Sequence, residues 1–144
     1  MIYKHFKGQI TSALRERGIT LTPQRLVIID MLTRKGDHPS AGTLLKNARI
    51  KMPTISASTV YYTLALLKKE GLIKELEFYD MENRYDSYLA DHIDLICRSC
   101  GNIENLDAVL PVSVESVKKA TGFQAERMRY EYYGLCRKCR GKQR

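Results

Sequence analysis

The chain has 144 residues, 44% of them hydrophobic, and a formal net charge of +8. That hydrophobic share excludes wholesale disorder and leaves room for one ordinary domain or two small ones. A pI of about 9.4 points toward a polyanionic partner, most often nucleic acid. The N-terminus, MIYKHFKGQITSALRERG, has no signal-peptide character, and no stretch nears the roughly 20 apolar residues of a membrane span, so a soluble, cytoplasmic protein is expected.

The first half is dense in helix signals. Residues 6–17 carry Phe6, Ile10, Ala13 and Leu14 at helical spacing, with Gly18 as a stop. In LTPQRLVIIDMLTRKG, Thr22 is placed to cap, Pro23 suits the first helical position, and Leu26, Ile29 and Leu32 form an apolar stripe closed by Gly36. Ser40 caps a third, short helix holding Leu44, Leu45 and Ala48, which ends before Pro53. ISASTVYYTLALLKKEG is a fourth: Ser56 caps it, Val60, Leu64 and Leu67 face inward, Lys68 and Lys69 favour its C-terminal dipole, and Gly71 stops it.

The texture then changes. LIKELEF and NRYDSYL are β-prone runs separated by the turn-rich YDME, which reads as a hairpin. Helices followed by a hairpin are the order of a winged helix-turn-helix, whose last helix enters the major groove while the hairpin lies against the backbone. A second unit follows: HIDLIC is a strand, LPVSVESVKKATG a helix with Val114, Val117 and Ala120 on one side, and FQAERMRYEYYGL a long strand. The predicted class is α+β, with a winged helix-turn-helix over residues 1–86 and a small α/β domain over 87–144.

Three groups of residues carry chemistry. Ser58, Thr59, Tyr61 and Tyr62, near the start of the fourth helix, offer hydroxyls and aromatic edges to bases and thymine methyls. Arg25, Lys68 and Lys69 are phosphate candidates, and DNA affinity should then fall steeply with salt. The competing reading makes the tyrosines half-buried core, and winged helices also serve as protein-interaction modules.

All four cysteines fall in two Cys-x-x-Cys pairs, Cys97/Cys100 and Cys136/Cys139. In a reducing compartment that spacing reads as metal rather than disulfide, and four thiolates suit a structural Zn²⁺ with no open position. A dithiol redox pair is the alternative, but neither pair sits in a thioredoxin-like context.

The third group precedes the first knuckle, in DHIDLICRSCG. Along a strand, His92, Asp94 and Ile96 point one way, while Asp91, Ile93, Leu95 and Cys97 point the other. His92 and Asp94 can therefore grip one ion together, separate from the sulfur site. Asp86, upstream in the hairpin, and His38, between the second and third helices, can complete a nitrogen/oxygen site suited to Fe²⁺, Mn²⁺ or Zn²⁺. Taken singly, His38 also reads as a loop residue and His92 as a solvated strand residue.

Nearly the whole chain resembles the ferric uptake regulator family, and within it the peroxide-responsive repressors. The resemblance is carried by LTPQR with His38-Pro39, STVYYTL followed by EGLI, RYD, DHIDLICRSCG and YGLCRKC. It implies a cytoplasmic homodimeric repressor with an N-terminal winged helix and a C-terminal α/β dimerisation domain. Such a protein binds an inverted-repeat DNA operator when a regulatory metal is loaded. It also implies structural zinc at Cys97, Cys100, Cys136 and Cys139, and regulatory Fe²⁺ or Mn²⁺ at His38, Asp86, His92 and Asp94. Asp94 stands where the family commonly has a histidine, and Asn105 where an acid is usual, with Glu104 just before it. Tyr62 replaces a common arginine. Asp86, rather than glutamate, leans toward the peroxide-sensing branch, in which iron-bound protein loses its DNA when peroxide oxidises a histidine ligand. The alternatives are an iron- or manganese-responsive regulator without peroxide sensing, and a zinc-stapled protein-interaction module. A zinc hydrolase fares worst, so no enzymatic activity is expected.

Overall fold

In a computed structural model, residues 2–34 and 36–142 are described. They form two compact units, Met1–Leu89 and Ala90–Arg144.

The first unit opens with four helices: α1 (Ile2–Glu16), α2 (Pro23–Leu32), α3 (Ala41–Lys51) and α4 (Ala57–Lys69). Three N-caps follow the sequence signals. The hydroxyls of Thr22, Ser40 and Ser56 accept from the amides of Arg25, Thr43 and Thr59, satisfying donors that a helix start leaves open. Gly18 and Gly71, just past α1 and α4, both have φ of 70°, a left-handed turn that a residue with a Cβ resists. The core collects Ile10 and Leu14 from α1, Ile28, Ile29 and Leu32 from α2, Leu44 and Ala48 from α3, and Val60, Leu64 and Leu67 from α4.

The expected stripe on α2 is corrected in one position. Leu26 is only half-buried, while Ile28 and Met31 are buried beside Ile29 and Leu32. The helix touches α1, α3 and α4, so it buries a broad arc rather than a narrow stripe.

The wing is an antiparallel pair, β1 (Lys74–Leu76) with β2 (Arg84–Asp86), in register Glu75↔Tyr85. Glu75 holds it together. One carboxylate oxygen takes Lys68 Nζ at 2.5 Å, and the other takes Tyr85 Oη at 2.9 Å and Asn83 Nδ2 at 3.4 Å. The far edge of β2 binds the segment before α3. The Tyr85 amide donates to Pro39 O at 3.0 Å, and Arg84 Nη1 donates to His38 O at 2.8 Å.

The second unit has a three-stranded sheet in the order β4-β3-β5, with β3 (Ile93–Cys97), β4 (Ile103–Leu106) and β5 (Glu131–Gly134). β3 runs antiparallel to β4 and parallel to β5. A parallel neighbour needs a crossover, and α5 (Val114–Thr121) lies in that connection. Ser113 and Ser116 form a reciprocal capping box at its start, and Gly122 closes it at φ 73°. The expected apolar side of α5 is thinly covered: Val114 and Val117 are half-buried and Ala120 is exposed. The expected long strand over 123–135 shortens to β5, because β3 pairs with it only from Asp94↔Glu131 to Cys97↔Gly134. A single turn, α6 (Arg137–Arg140), carries Cys139.

Candidate metal centres and nucleic-acid interface

The sulfur centre is built by β3 and by the turn after β5. After Cys97 the chain turns back through Gly101, at φ 73°, with the Gly101 amide on Cys97 O at 2.9 Å. The Arg98 amide donates to Gly134 O at 2.8 Å, which brings the end of β5 alongside the first knuckle. The Cys136 amide then donates to Cys97 Sγ at 3.3 Å, and Cys100 Sγ lies 3.8 Å from Cys136 Sγ. All four sulfurs are within 4.8 Å of one another and none is in a disulfide. A tetrahedral zinc with bonds of about 2.3 Å sets its sulfurs roughly 3.8 Å apart, so the donor set fits that ion. The amides of Cys136 and Cys100 hold Cys97 at about 6. Cys100 is pushed up to about 11: the Asn102 amide lowers it, but the Cys97 hydrogen bond, burial and the Cys139 and Cys136 sulfurs outweigh that. The contact between Cys97 and Cys100 thus pushes the two thiols apart in acidity.

Each unit also presents a buried His–Asp pair. In the first, the bonds from Arg84 and Tyr85 to the His38-Pro39 segment bring His38 to the end of β2. His38 Nε2 lies 3.4 Å from Asp86 Oδ2, and the other Asp86 oxygen accepts the Tyr88 amide at 2.8 Å. In the second, His92 Nε2 lies 3.2 Å from Asp94 Oδ1, and His92 Nδ1 lies 2.7 Å from Ala90 O. A carbonyl has no proton to give, so Nδ1 carries the proton and donates it. Nε2 is then a lone-pair donor facing a carboxylate oxygen. Two acceptors at that distance repel unless a second proton or a metal ion lies between them. A ligating histidine commonly has this arrangement, its other nitrogen fixed on a backbone carbonyl.

Strand register separates Glu104 from Asn105. Asn105 pairs directly with Asp94, so their side chains share a face. Its Oδ1 is buried and has no hydrogen-bond partner among the described residues. Glu104 pairs with Leu95, on the opposite face, and is exposed with Asn102 Nδ2 on its carboxylate at 3.2 Å. The second unit's oxygen donors on the His92 face are therefore Asp94 and Asn105.

The α4 start divides the nucleic-acid candidates. Tyr61 and Tyr62 are 58% and 63% exposed, which sets aside the half-buried-core reading, and Ser58 is exposed. Thr59 is half-buried and its hydroxyl lies 2.9 Å from that of Ser56, so it completes the helix cap. Arg25, in the first turn of α2, stands over the Tyr62 ring with Cζ 5.7 Å from the centroid. Arg25, Ser58, Thr59 and Tyr62 line one groove of about 450 Å³. Lys68, at the far end of α4, pairs with Glu75 in the wing.

The model of the ferric uptake regulator family matches residues 16–133. The chain belongs to the ferric uptake regulator family. Members of that family are metal-dependent transcriptional regulators. The peroxide operon regulator of Bacillus subtilis (strain 168) is 34% identical over 140 residues, covering 96% of this chain and 97% of the relative. The crystal structure of the Campylobacter jejuni peroxide stress regulator matches at 31% identity and TM-score 0.71, over 96% of this chain and 99% of that one. The Helicobacter pylori ferric uptake regulator matches in fold at TM-score 0.72 and 23% identity, over 96% and 93% of the two chains. The α+β class, with a winged helix ahead of a small α/β unit, is the fold of this family. A solved zinc-bound manganese uptake regulator also matches, at 29% identity and TM-score 0.69, over 88% of this chain and 98% of that one.

For this member of the ferric uptake regulator family, two features escaped the sequence. The Ala90 carbonyl that fixes the His92 tautomer is a backbone group and leaves no motif. The Arg25–Tyr62 contact joins residues 37 positions apart on different helices, and neither type signals the other.

Proposed function

We propose that this chain is a cytoplasmic, homodimeric repressor that binds an inverted-repeat operator in double-stranded DNA. Zn²⁺ at Cys97, Cys100, Cys136 and Cys139 staples the second unit. Fe²⁺ or Mn²⁺ held by His38, Asp86, His92 and Asp94, with Asn105, gates DNA binding. The observation that carries the reading is the matched His–Asp pair in each unit, with the His92 tautomer fixed so that its lone pair faces a carboxylate. Oxygen-rich, histidine-poor donor sets suit harder ions.

His38 and Asp86 belong to the winged-helix unit, His92 and Asp94 to the α/β unit. Sharing one ion ties the two units into one orientation, which in a dimer sets the spacing of two α4 helices. The bias equals the difference in metal affinity between tied and untied forms. Arg25 and the α4 start then meet the DNA. The dimer surface is supported by apolar side chains exposed on the second unit, among them Val109, Phe123, Tyr132 and Leu135. No helix among the described residues is long and apolar enough to cross a membrane. Family members are regulators rather than enzymes, and a closed four-sulfur centre offers no open position for catalysis.

Peroxide sensing rests on the named relatives and on Asp86. A ferrous ion held by these residues would supply the one-electron chemistry that activates peroxide beside the donor side chains. His38 and His92 are the oxidisable donors; the carboxylates and the Asn105 amide resist. Mass spectrometry of iron-loaded protein after peroxide should find an added oxygen on His38 or His92. An unmodified pair would move the reading to an iron- or manganese-responsive regulator. His92→Ala should abolish the response of DNA affinity to saturating Mn²⁺, and an unchanged response would sink the gating itself.

A further inference from the structure

We infer that Tyr62 is a positioning residue: its ring holds the Arg25 guanidinium at the α2–α4 groove, where that cation takes one backbone phosphate of duplex DNA. The inference rests on the DNA-binding reading above and deepens it.

Tyr62 is 63% exposed, so its place is not explained by filling the core. Its partner is the Arg25 guanidinium, which stands over the ring. Arg17 pairs with Glu70, while Arg49 and Arg84 donate to the carbonyls of Ile55 and His38. Arg25 has no carboxylate partner among the described residues. Two ties hold it instead: Nη1 donates to Thr20 O at 2.5 Å, and the cationic carbon stands 5.7 Å from the Tyr62 ring centroid. A cation over an aromatic face at that distance is attracted by the ring quadrupole. A guanidinium carries five donors in a rigid fork, and Thr20 uses one of them. The rest remain on a charge that the protein has oriented but not neutralised.

The groove supplies the setting. Gln24 and Arg25 line one wall, Ser58, Thr59 and Tyr62 the other, in a space of about 450 Å³. It holds a cation and hydroxyls with no acidic side chain in its lining. That chemistry recognises a phosphodiester. An arginine already held in place loses less side-chain freedom on binding than a free one. Tyr62 therefore acts through Arg25 rather than by reading a base.

The test uses the full chain loaded with Mn²⁺, and a duplex selected by that protein from a random library. Affinity is measured by fluorescence anisotropy over a series of salt concentrations. Arg25→Ala should weaken binding roughly five- to tenfold near 0.1 M salt and flatten the log–log salt dependence by about 0.9, the signature of one lost phosphate contact. Tyr62→Ala should weaken binding roughly two- to fivefold and flatten the slope part of the way. Tyr62→Phe, which keeps the ring face, should stay within about twofold of the parent. The double variant Arg25→Ala/Tyr62→Ala should bind no more weakly than Arg25→Ala alone. If Tyr62→Ala binds like the parent, or if the two losses multiply with the Tyr62→Ala slope unmoved, the positioning role is overturned while DNA binding stands. If the parent protein selects no sequence, the DNA-binding reading fails and this inference with it.

Discussion

The two units are held together by different means. The first has a continuous hydrophobic core fed by all four helices, with Leu14, Ile28, Ile29, Leu32 and Leu67 at 0% exposure. The second, in 55 residues, buries Ile93, Ile96 and Ile103 together with Cys97, Cys139 and the polar pair His92 and Asp94, and leaves Val109 and Phe123 in the open. A domain of that size rarely supplies enough apolar burial to stand alone and commonly leans on a metal or a partner. The division suits a sensor. On the proposed function, the DNA-binding half has its own hydrophobic interior, whereas the second half would rely on the proposed zinc and on dimerisation.

Stripping the sulfur centre tests this contrast most severely. Structural zinc of this type contributes on the order of 10–16 kcal/mol. Cys97→Ser, or exhaustive chelation, should raise amide exchange across β3, β4 and β5 to unfolded rates and leave α2 and α4 protected. A sheet still protected without zinc would break the comparison. A cavity in the first unit should do the reverse with a smaller effect. Leu64→Ala should cost that unit about 2–5 kcal/mol in denaturant unfolding while zinc content stays at one ion per chain.

The smallest effect concerns the wing. Burial alone would raise the Glu75 carboxyl, but hydrogen bonds from Lys68, Tyr85 and Asn83 outweigh it and hold the group below its ordinary value of 4.5. The ionised form therefore adds stability that is present above that ordinary value and is lost as pH falls through the lowered folded-state value. Glu75→Gln should destabilise the first unit by about 1 kcal/mol at neutral pH. The gap between variant and parent should close in acid. A gap that persists there would assign the loss to hydrogen-bond geometry rather than to charge.

Much of this was legible in the sequence because it is local. The caps at Thr22, Ser40 and Ser56 and the left-handed glycines need only a few neighbouring residues to act, so motif reading finds them. The sulfur centre is legible for the same reason: each Cys-x-x-Cys is a local knuckle, and only its partner is distant. What escaped depends on pairing across the chain. β5 is short because the length of β3, not its own alternation, limits it. Asn105 is preferred to Glu104 only once the Asp94↔Asn105 register is known. Ile28 is buried in place of Leu26 because three helices surround α2, a condition no single-face periodicity encodes.

The parallel pairing of β3 with β5 also orders events in time. Its strands cannot meet through a tight turn, and the sulfurs it aligns belong to residues 39 apart, Cys97 and Cys136. Closing so wide a loop is slow compared with winding neighbouring helices. The four-helix unit, built from local contacts, should therefore form before the sheet. If zinc joins the two knuckles as proposed, its supply should set the pace at which this sheet forms.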